Sequence, residues 1–559
     1  MSATRPIDGA EIARCPHRVA LIRGGPQPVP VRIADESSDR RQRESQRLTE
    51  KIFNDISAAF PDAVYPATKS ETTEHIGRGA EIIVAPRLPD DVQGGRRAYV
   101  DVLVRTGRTG TNYTYAPIII RNIIVADPAS TRRIRTGSTH LLRLSEAEWR
   151  DGVTHRRTPA VTRAGLALAH SYRVLEAHEW AASEPVGGLF DRDGTLWWLE
   201  LGPESSPFSL DIYDAAFAER QSVLLQRDLW EKGDAPYPTT PFWHRECEFC
   251  PFSASCRQIL EESHDVSLVP WTKFSEQILL KEAGITTWDT LATLDPIVAA
   301  QAFHSVLSAA EPHSPSEYLG KQLQQLPDLI YKARARKIGN PLRRAVPEAM
   351  SCPTADIEVD VDMESCNDRT YLWGAVVRNR RSDLEIPEGY RHFSYFTEVT
   401  PLDEGRIFRD FWEWLSELRK FAYDNQASFR AYCFYQNAEN TSMRAGIAAD
   451  PSNSGLSASV EEFLASSEWV DLFEISRELL QTEGAMGLKN LAPAAGFQWR
   501  DDSPSGEASM AWFDNAVREG EPWRTRILEY NEDDCRATQA LRDWLNGDAS
   551  NLPHRDDVS

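Results

Sequence analysis

The stretch "IEVDVDMES", from Ile357 to Ser365, alternates strictly between apolar and acidic residues. Period-two alternation predicts a β-strand. The four acids of such a strand would lie on one face, with neighbours about 7 Å apart. Like charges in a row of this kind repel one another. The sequence therefore poses a specific question, which is what neutralises this row of carboxylates and what makes the repulsion worthwhile.

The length and composition describe a multidomain globular protein. A chain of 559 residues is too long for one core, so two to four domains are expected. Its 41% hydrophobic and 26% charged residues are ordinary for this class. No apolar run approaches the roughly 18 residues of a membrane helix, and the first twenty residues lack an apolar signal core. We expect a cytoplasmic protein without a membrane partner.

The net charge of −22 argues against a wholly basic nucleic-acid coat but leaves room for local basic segments. Three segments are candidates: residues 39–47, 130–137 and 331–345. Each is either a track for nucleic acid or an ordinary solvated surface, which is what charged runs usually are.

The pattern of predicted elements divides the chain into four parts. Residues 1–262 read as a mixed α/β unit, residues 263–350 as a helical linker, residues 351–547 as a second α/β unit that begins with the acidic strand, and residues 548–559 as a frayed tail. Within the linker, residues 274–296 resemble a helix-hairpin-helix, which can hold a nucleic-acid backbone. The alternative is a plain helical connection.

A group of cysteines closes the first part. "CEFCPFSASC" places Cys247, Cys250 and Cys256 at C-x2-C-x5-C spacing, and Cys15 is the candidate fourth ligand. Four thiolates suit a [4Fe–4S] cluster or structural zinc, and ordinary reduced thiols are the alternative. One N-terminal cysteine with a C-terminal trio resembles the iron–sulfur staple of RecB-like nucleases, including the AddB and CRISPR-associated types. This resemblance implies a PD-(D/E)xK, restriction-endonuclease-like fold for residues 1–262 and favours iron–sulfur over zinc.

The resemblance also implies where a first-domain metal site would lie. The strand around "RAYVDVLVRTG" resembles the first segment of the family motif, with Asp101 as the metal-binding acid and Glu50 as the upstream helix acid. The next segment departs from the motif, because Ile119 and Arg121 stand where the acid and the lysine belong. The Gln-x3-Tyr positions of the following helix are also changed, to Ala167 and Ser171. We therefore expect a degenerate nuclease domain with little or no activity.

The second α/β unit carries three acidic segments. Asp362 and Glu364 lie in the opening strand, Glu439 follows another apolar strand, and Tyr530 and Asp534 have the i, i+4 spacing of one helical face. In this order the set resembles the DEDD exonuclease superfamily of the ribonuclease H-like fold, in its tyrosine-bearing DnaQ-like (DEDDy) version. More specifically, it is similar to the YprB-type domain found joined to RecB-like nuclease domains.

This second resemblance implies a two-metal active site. Two Mg²⁺ or Mn²⁺ ions would be held by Asp362, Glu364, Glu439 and Asp534, because hard divalent cations prefer carboxylate oxygens. Tyr530 would orient the attacking water, since a phenol with a pKa near 10 is a poor bulk base. Glu439 departs from the commoner aspartate. Asp471 would support the ligands from behind.

The combined resemblance implies a metal-dependent nuclease, acting as a 3′–5′ exonuclease in repair, recombination or defence, with DNA favoured over RNA. The chain has no G-x4-G-K-[ST] phosphate loop, so a helicase could only be a separate partner. The competing hypothesis is a catalytically inactive nucleic-acid-binding subunit of a helicase–nuclease or defence complex.

Overall fold

The computed structural model describes residues 6–26, 36–202, 207–269, 280–281, 283–301, 316–502 and 504–557. The chain forms two compact units. The first comprises residues 1–242 with 246–254, and the second comprises residues 243–245 with 255–559. The division near residue 254 lies eight residues before the predicted boundary at 262, and the predicted linker belongs to the second unit.

A seven-stranded mixed sheet forms the frame of the first unit, in the order β2-β4-β5-β8-β9-β6-β7, while β1 pairs with β3. The strands of the first unit are β1 (Ile7–Asp8), β2 (Ile82–Val84), β3 (Arg96–Arg97), β4 (Val102–Thr109), β5 (Asn112–Ile120), β6 (Ala126–Gly137), β7 (Glu148–His155), β8 (Val186–Phe190) and β9 (Leu196–Glu200). The β-branched residues of "YAPIIIRNIIVAD", residues 115–127, predict one strand, but β5 ends at Ile120.

Helices cover this sheet. They are α1 (Gly9–Ile12), α2 (Pro16–Ile22), α3 (Glu36–Ala59), α4 (Lys69–Gly77), α5 (Pro159–Ala177) and α6 (Leu210–Glu231). Helix α5 starts where expected for its sequence, because Pro159 occupies the first turn and the Thr158 hydroxyl accepts a hydrogen bond from the backbone N–H of Val161. Its apolar face shares a core with Ile119 of β5 and Leu189 of β8.

The second unit is built on a five-stranded sheet in the order β13-β12-β11-β14-β15, with a separate β10–β16 pair. Its strands are β10 (Leu342–Arg344), β11 (Ile357–Cys366), β12 (Arg369–Asn379), β13 (Gly389–Ser394), β14 (Phe429–Cys433), β15 (Trp469–Asp471) and β16 (Leu480–Thr482). Its helices are α7 (Ser253–Glu262), α8 (Trp288–Ala292), α9 (Ser316–Lys337), α10 (Pro401–Asp424), α11 (Gln436–Ala449), α12 (Ser457–Leu464), α13 (Leu472–Leu479), α14 (Leu488–Leu491), α15 (Gly506–Glu519) and α16 (Trp523–Leu545).

The acidic stretch forms the central strand β11, as its alternation predicts. It runs antiparallel to β12 and parallel to β14, and β14 runs parallel to β15. Its apolar residues Ile357, Val359 and Val361 are buried in a core that includes Phe408 and Phe411 of α10. Helix α16 packs against β11, and the acidic side chains of Glu358, Asp360 and Glu364 are buried, whereas Asp362 keeps partial access to water.

Arg542 of α16 neutralises the first two acids of β11. Its guanidinium donates to Glu358 Oε2 and to Asp360 Oδ2, each at 3.0 Å, and also contacts Asp360 Oδ1. All three side chains are completely buried. Arg380 adds a second cation at 3.0 Å from Glu358. Burial raises the pKa of Asp360 to about 6, while Arg542 favours its ionised form.

The described residues of the predicted linker include helices and a short strand. Helices α8 and α9 lie there, but β10 adds a short strand that pairs antiparallel with β16. Arg336 forms ion pairs with Glu261 and Glu483, and Arg343 is fully buried. The basic segment 331–345 therefore carries structural arginines. The helix-hairpin-helix prediction falls partly on residues 270–279 and 282, which lie outside the described residues.

The prediction of a frayed tail is wrong for residues 548–557. A 3₁₀ helix covers Asp548–Asn551, and Ala549 is fully buried. Beyond it, the backbone N–H of Arg555 donates to Arg344 O, and Arg344 N–H donates to Pro553 O, both at 2.9 Å. Polar composition suggested fraying, but backbone pairing with β10 holds the segment in place.

In the part of the chain that the structure describes, no helix combines the length and apolar character needed to span a bilayer.

Replacing Arg542 with alanine should destabilise the second unit by about 3–5 kcal/mol, because two buried carboxylates lose their counter-ion. Urea unfolding followed by circular dichroism measures this change. Arg536→Ala is the matched control on the same helix, since Arg536 is 41% exposed and pairs with Glu532 near the surface. It should change the free energy of unfolding by less than about 1 kcal/mol. Equal effects of the two substitutions would contradict the assignment.

Candidate active site

Two acids of β11 lie at the edge of the sheet where ligand sites of α/β proteins are usually found. The parallel pairing of β11 with β14 ends at Asp360 opposite Tyr432. Asp362 and Glu364 lie beyond that pair, and the β11–β12 register shifts directly after Glu364. Side chains at the carboxyl ends of parallel strands line an open crevice. The position of these two acids is thus set by the strand order.

Helix α16 brings a third carboxylate to the same place. Oxygens of Asp362, Glu364 and Asp534 all lie within 4.8 Å of one another, and within the described ranges this is the group of three or more acid, cysteine or histidine ligands that meets this spacing. Tyr530, one turn before Asp534, is 2% exposed and lies on the buried face of α16. The structure therefore brings together four of the five residues assigned from the sequence.

These carboxylates repel one another in a desolvated site. Burial is the main cause that raises the pKa of Asp362 well above its usual range, followed by the charges of Asp534, Glu364 and Glu439. Burial and Asp534 raise the pKa of Glu364 to about 8. Burial also raises the pKa of Asp534, although Lys489 counteracts the effect. A site of this kind favours protons or metal cations.

Glu439 is the fifth residue, and it lies in the first turn of α11. Its side chain is 3% exposed, and its Oε2 atom has no hydrogen-bond partner. Burial, as the main cause, and the charge of Asp471 together raise its pKa to about 8. Its charge also raises the pKa of Asp362, so it lies near that carboxylate. An unpartnered carboxylate oxygen in a buried site calls for an external cation.

Asp471 supports Glu439 indirectly, by holding the turn before α11. Its carboxylate accepts hydrogen bonds from the backbone N–H groups of Tyr435 at 3.0 Å and Gln436 at 3.1 Å. Tyr435 has a φ of 79°, a left-handed conformation that is costly for a non-glycine residue. Asp471 therefore fixes the strained connection between β14 and the helix that carries Glu439.

Each of the three clustered acids is oriented by a neutral donor. Asn531 Nδ2 donates to Asp362 Oδ2 at 2.7 Å. Trp499 Nε1 donates to Asp534 Oδ1 at 2.7 Å. The hydroxyl of Ser509 donates to Glu364. Neutral donors orient the carboxylates without cancelling their charge, so the oxygens remain available to a cation.

Lys489 lies in the candidate site, and sequence reasoning missed it. Its ammonium donates to the hydroxyl of Tyr530 and lies 3.8 Å from Asp534 Oδ2. Burial and the charges of Glu364 and Asp534 raise the pKa of Tyr530, so the phenol keeps its proton. The segment of the sequence that could have pointed to it is "GLKNLAPAAGFQWR", residues 487–500, which contains both Lys489 and Trp499. Its spacing from the acids is too irregular to identify either residue.

The residues present fit divalent metal ions. Three carboxylates from two separate elements lie within 4.8 Å of one another, Glu439 nearby has an unpartnered oxygen, and one lysine offsets only part of their charge. Asp362, Glu364, Asp534 and Glu439 are hard oxygen ligands, which suit Mg²⁺ or Mn²⁺. The opposing acids could hold two ions, as two-metal phosphodiester hydrolysis requires.

Among the described residues of the first unit there is no comparable group of ligands. Asp101 accepts a hydrogen bond from the backbone N–H of Ile120 at 2.7 Å and forms an ion pair with Arg121 at 3.3 Å. Glu50 is exposed on α3. Ile119 is buried in the core, as its side chain dictates. In an active nuclease of the resembled family, a metal ion would neutralise the carboxylate at the position of Asp101. Here Arg121 provides that positive charge.

The cysteine group is less well defined. In the first unit, burial raises the pKa of Cys15, and the nearby Cys250 and Glu246 raise it further. Glu246 also accepts a hydrogen bond from the backbone N–H of Cys15 at 3.0 Å. The ligand-atom groups found within the described ranges include no cysteine. The [4Fe–4S] or zinc centre, with Cys247 and Cys256 as further ligands, therefore stays a prediction.

Comparison with known protein families bears on the second unit. A family model described as the RNase_H superfamily matches residues 385–546, a segment that contains Glu439, Tyr530 and Asp534. The match supports a ribonuclease H-like domain in this part of the chain. Proteins of this superfamily are commonly nucleases that use two divalent metal ions, so the match also implies a nucleic-acid substrate. Neither the curated proteins nor the solved structures contain a match to this chain.

The stability of the metal-free protein should depend on the protonation of Glu439. Its pKa is raised to about 8 from an ordinary value near 4.5, so its stabilising contribution is complete below about pH 4.5 and is lost as the pH rises through 8. In EDTA, the free energy of unfolding of the wild type relative to Glu439→Gln should fall by up to about 1.4 kcal/mol per pH unit in this window.

Urea unfolding at several pH values measures this difference. Glutamine cannot ionise, so Glu439→Gln provides the reference at each pH. Adding Mn²⁺ should remove most of the decline, because the cation compensates the carboxylates. A difference that stays constant between pH 5 and 8 would contradict the electrostatic description of the site.

Proposed function

We propose that the second unit is a metal-dependent phosphodiesterase of the DEDDy type, and that the protein is a 3′–5′ exonuclease acting on DNA. The observation that carries the proposal is the convergence of Asp362, Glu364 and Asp534 with Glu439 and Tyr530 in one desolvated site. A site for two cations requires excess negative charge and unpartnered carboxylate oxygens. In a purely structural site the same unpaired buried charges would destabilise the fold. The 3′–5′ polarity and the preference for DNA follow from the resemblance to DEDDy exonucleases.

The residues divide the work of hydrolysis between them. Divalent cations, when bound, would stabilise the charge that develops on the phosphate and lower the pKa of the attacking water. The four carboxylates hold those cations, while Asn531, Trp499 and Ser509 keep three of them in fixed orientations. Tyr530 keeps its proton and orients the water through its hydroxyl, and Lys489 holds that hydroxyl in place.

For the first unit we propose a nuclease-derived fold that binds nucleic acid without cutting it. The Asp101–Arg121 ion pair supports this, because the arginine occupies the carboxylate that a catalytic cation would need. The alternative for the whole protein, a catalytically inactive binding subunit, has the same support from the first unit. The intact acidic site of the second unit favours the enzyme.

Purified protein should degrade end-labelled single-stranded DNA in Mn²⁺ or Mg²⁺ and not in EDTA. Asp362→Asn and Asp534→Asn should each lower the rate by about 10³-fold, because each removes a cation ligand worth several kcal/mol. Gel analysis of 3′- and 5′-labelled strands gives both the rate and the polarity.

Asp424→Asn is the matched control, because Asp424 is 59% exposed and pairs with Lys420 near the end of α10. It should cleave like the wild type. A wild-type protein that binds DNA and degrades none with either metal would support the inactive subunit, and full activity in Asp362→Asn would disprove the site assignment.

Tyr530→Phe and Lys489→Met should each lower kcat by about 10–100-fold, because the water loses its orienting hydroxyl or that hydroxyl loses its support. The double variant should be no more than slightly worse than either single one, since the two residues act through one contact. Single-turnover rates at saturating Mn²⁺ measure these effects. Multiplicative losses would show that Lys489 acts independently of Tyr530.

A further inference from the structure

Strands β6 and β7 form a hairpin at one edge of the first unit's sheet. Their pairing runs from Ala126 opposite His155 to Thr136 opposite Glu148. The neighbouring strand β9 pairs with β6 only at Arg135–Gly137. The rest of the hairpin extends past β9, and β7 is the edge strand. One surface of this ribbon packs partly against the core of the first unit, so the opposite surface is the one open to a ligand.

One face of this hairpin presents an aromatic ring next to an arginine. Ile134 packs partly buried against the core, so Arg133 at the adjacent position projects from the other face. Trp149, opposite Arg135, is 47% exposed. The guanidinium carbon of Arg133 lies 4.4 Å from the centre of the Trp149 ring. Exposed tryptophan beside arginine is a common surface for stacking nucleic-acid bases.

The arginines of the hairpin fall into two classes. Arg135 is bound to Glu184, and Arg156 donates to Asp127 at 2.7 Å, so both have structural partners. Four others form no ion pair with a carboxylate of the described residues; they are Arg132, Arg133, Arg150 and Arg157. Unpaired arginines are notable in a chain with a net charge of −22, which offers many carboxylates.

Arginine charges also gather near the end of the hairpin where Ala126 pairs with His155. Burial lowers the pKa of His155, and the nearby charges of Arg132 and Arg157 lower it further. The Nδ1 atom of His155 is buried and has no hydrogen-bond partner. Bound phosphate groups would relieve the repulsion among these cations.

Charged residues also protect edge strands from aggregation. That role does not explain Trp149, because an exposed aromatic ring on an edge strand promotes association. It also does not explain why two neighbouring arginines, Arg132 and Arg133, form no ion pair with a described carboxylate, although Arg133 contacts the Trp149 ring. A ligand that is both anionic and aromatic accounts for both features.

We propose that the β6–β7 hairpin binds a single-stranded nucleic acid, with phosphates contacting Arg132, Arg133, Arg150 and Arg157 and a base stacking on Trp149. The choice of ligand rests on the proposed function of the second unit. A single strand fits better than a duplex, since the faces of paired bases are already stacked and unavailable to Trp149. Of the three basic segments in the sequence, residues 130–137 thereby receive a function.

The test measures binding of a fluorescein-labelled single-stranded DNA 20-mer to the full-length protein in EDTA, by fluorescence anisotropy at several salt concentrations. EDTA separates binding from cleavage. The charge-reversal variant is Arg132→Glu with Arg133→Glu. The matched control is Arg78→Glu with Arg108→Glu, at two exposed arginines elsewhere in the first unit. Both pairs change the net charge from −22 to −26, because each substitution contributes −2.

The hairpin variant should bind at least about 10-fold more weakly than the wild type, with a salt dependence reduced by about one phosphate contact per lost arginine. Trp149→Ala should weaken binding about 5-fold or more, and Trp149→Phe less, because phenylalanine keeps part of the stacking surface. Circular dichroism checks that each variant is folded.

Equal affinity of the hairpin variant and the matched control for the single-stranded 20-mer would overturn the proposal. Cleavage in Mn²⁺ is scored separately. A wild type that binds through the hairpin and never cleaves would refute the proposed nuclease activity while supporting the hairpin as a binding surface.

Discussion

The buried contact of Arg542 with Glu358 and Asp360 determines how helix α16 lies on strand β11. Asp534 precedes Arg542 by eight residues, which corresponds to about 12 Å along a helix. Glu364 follows Asp360 by four residues, which corresponds to about 13 Å along a strand. With the ion pair fixed at one end, Asp534 and Glu364 must therefore meet at the other. One electrostatic contact thus sets the register of the candidate active site.

This arrangement divides a single row of acids into two parts with different counter-charges. The first two acids, Glu358 and Asp360, are neutralised by arginines of the protein itself, at the cost of desolvating the carboxylates and Arg542. The last two acids, Asp362 and Glu364, accept hydrogen bonds from neutral donors and are near Lys489, so most of their negative charge remains available to bind cations. The repulsion that makes "IEVDVDMES" unusual is thereby confined to the end of the strand where chemistry would take place.

The first unit solves the same electrostatic problem in a different way. The counter-charge of Asp101 is Arg121, the residue that follows β5, and the carboxylate forms an ion pair with it. Where the second unit leaves acids for cations, the first unit leaves arginines for anions, on its β6–β7 hairpin. Under the two proposals, the second unit would bind a scissile phosphate through divalent cations. The first unit would bind single-stranded nucleic acid through its hairpin.

Local pattern in the sequence was enough to predict the strand at Ile357–Cys366, the helix that carries Tyr530 and Asp534, and which acids would be candidates, because alternation and i, i+4 spacing are properties of neighbouring residues. Only the tertiary structure could assign Arg542 to acids 182 and 184 residues away, add Lys489 and Trp499 to the site, and order residues 548–557. Those outcomes depend on which distant elements pack together, and a desolvated charge takes whichever partner that packing brings within reach.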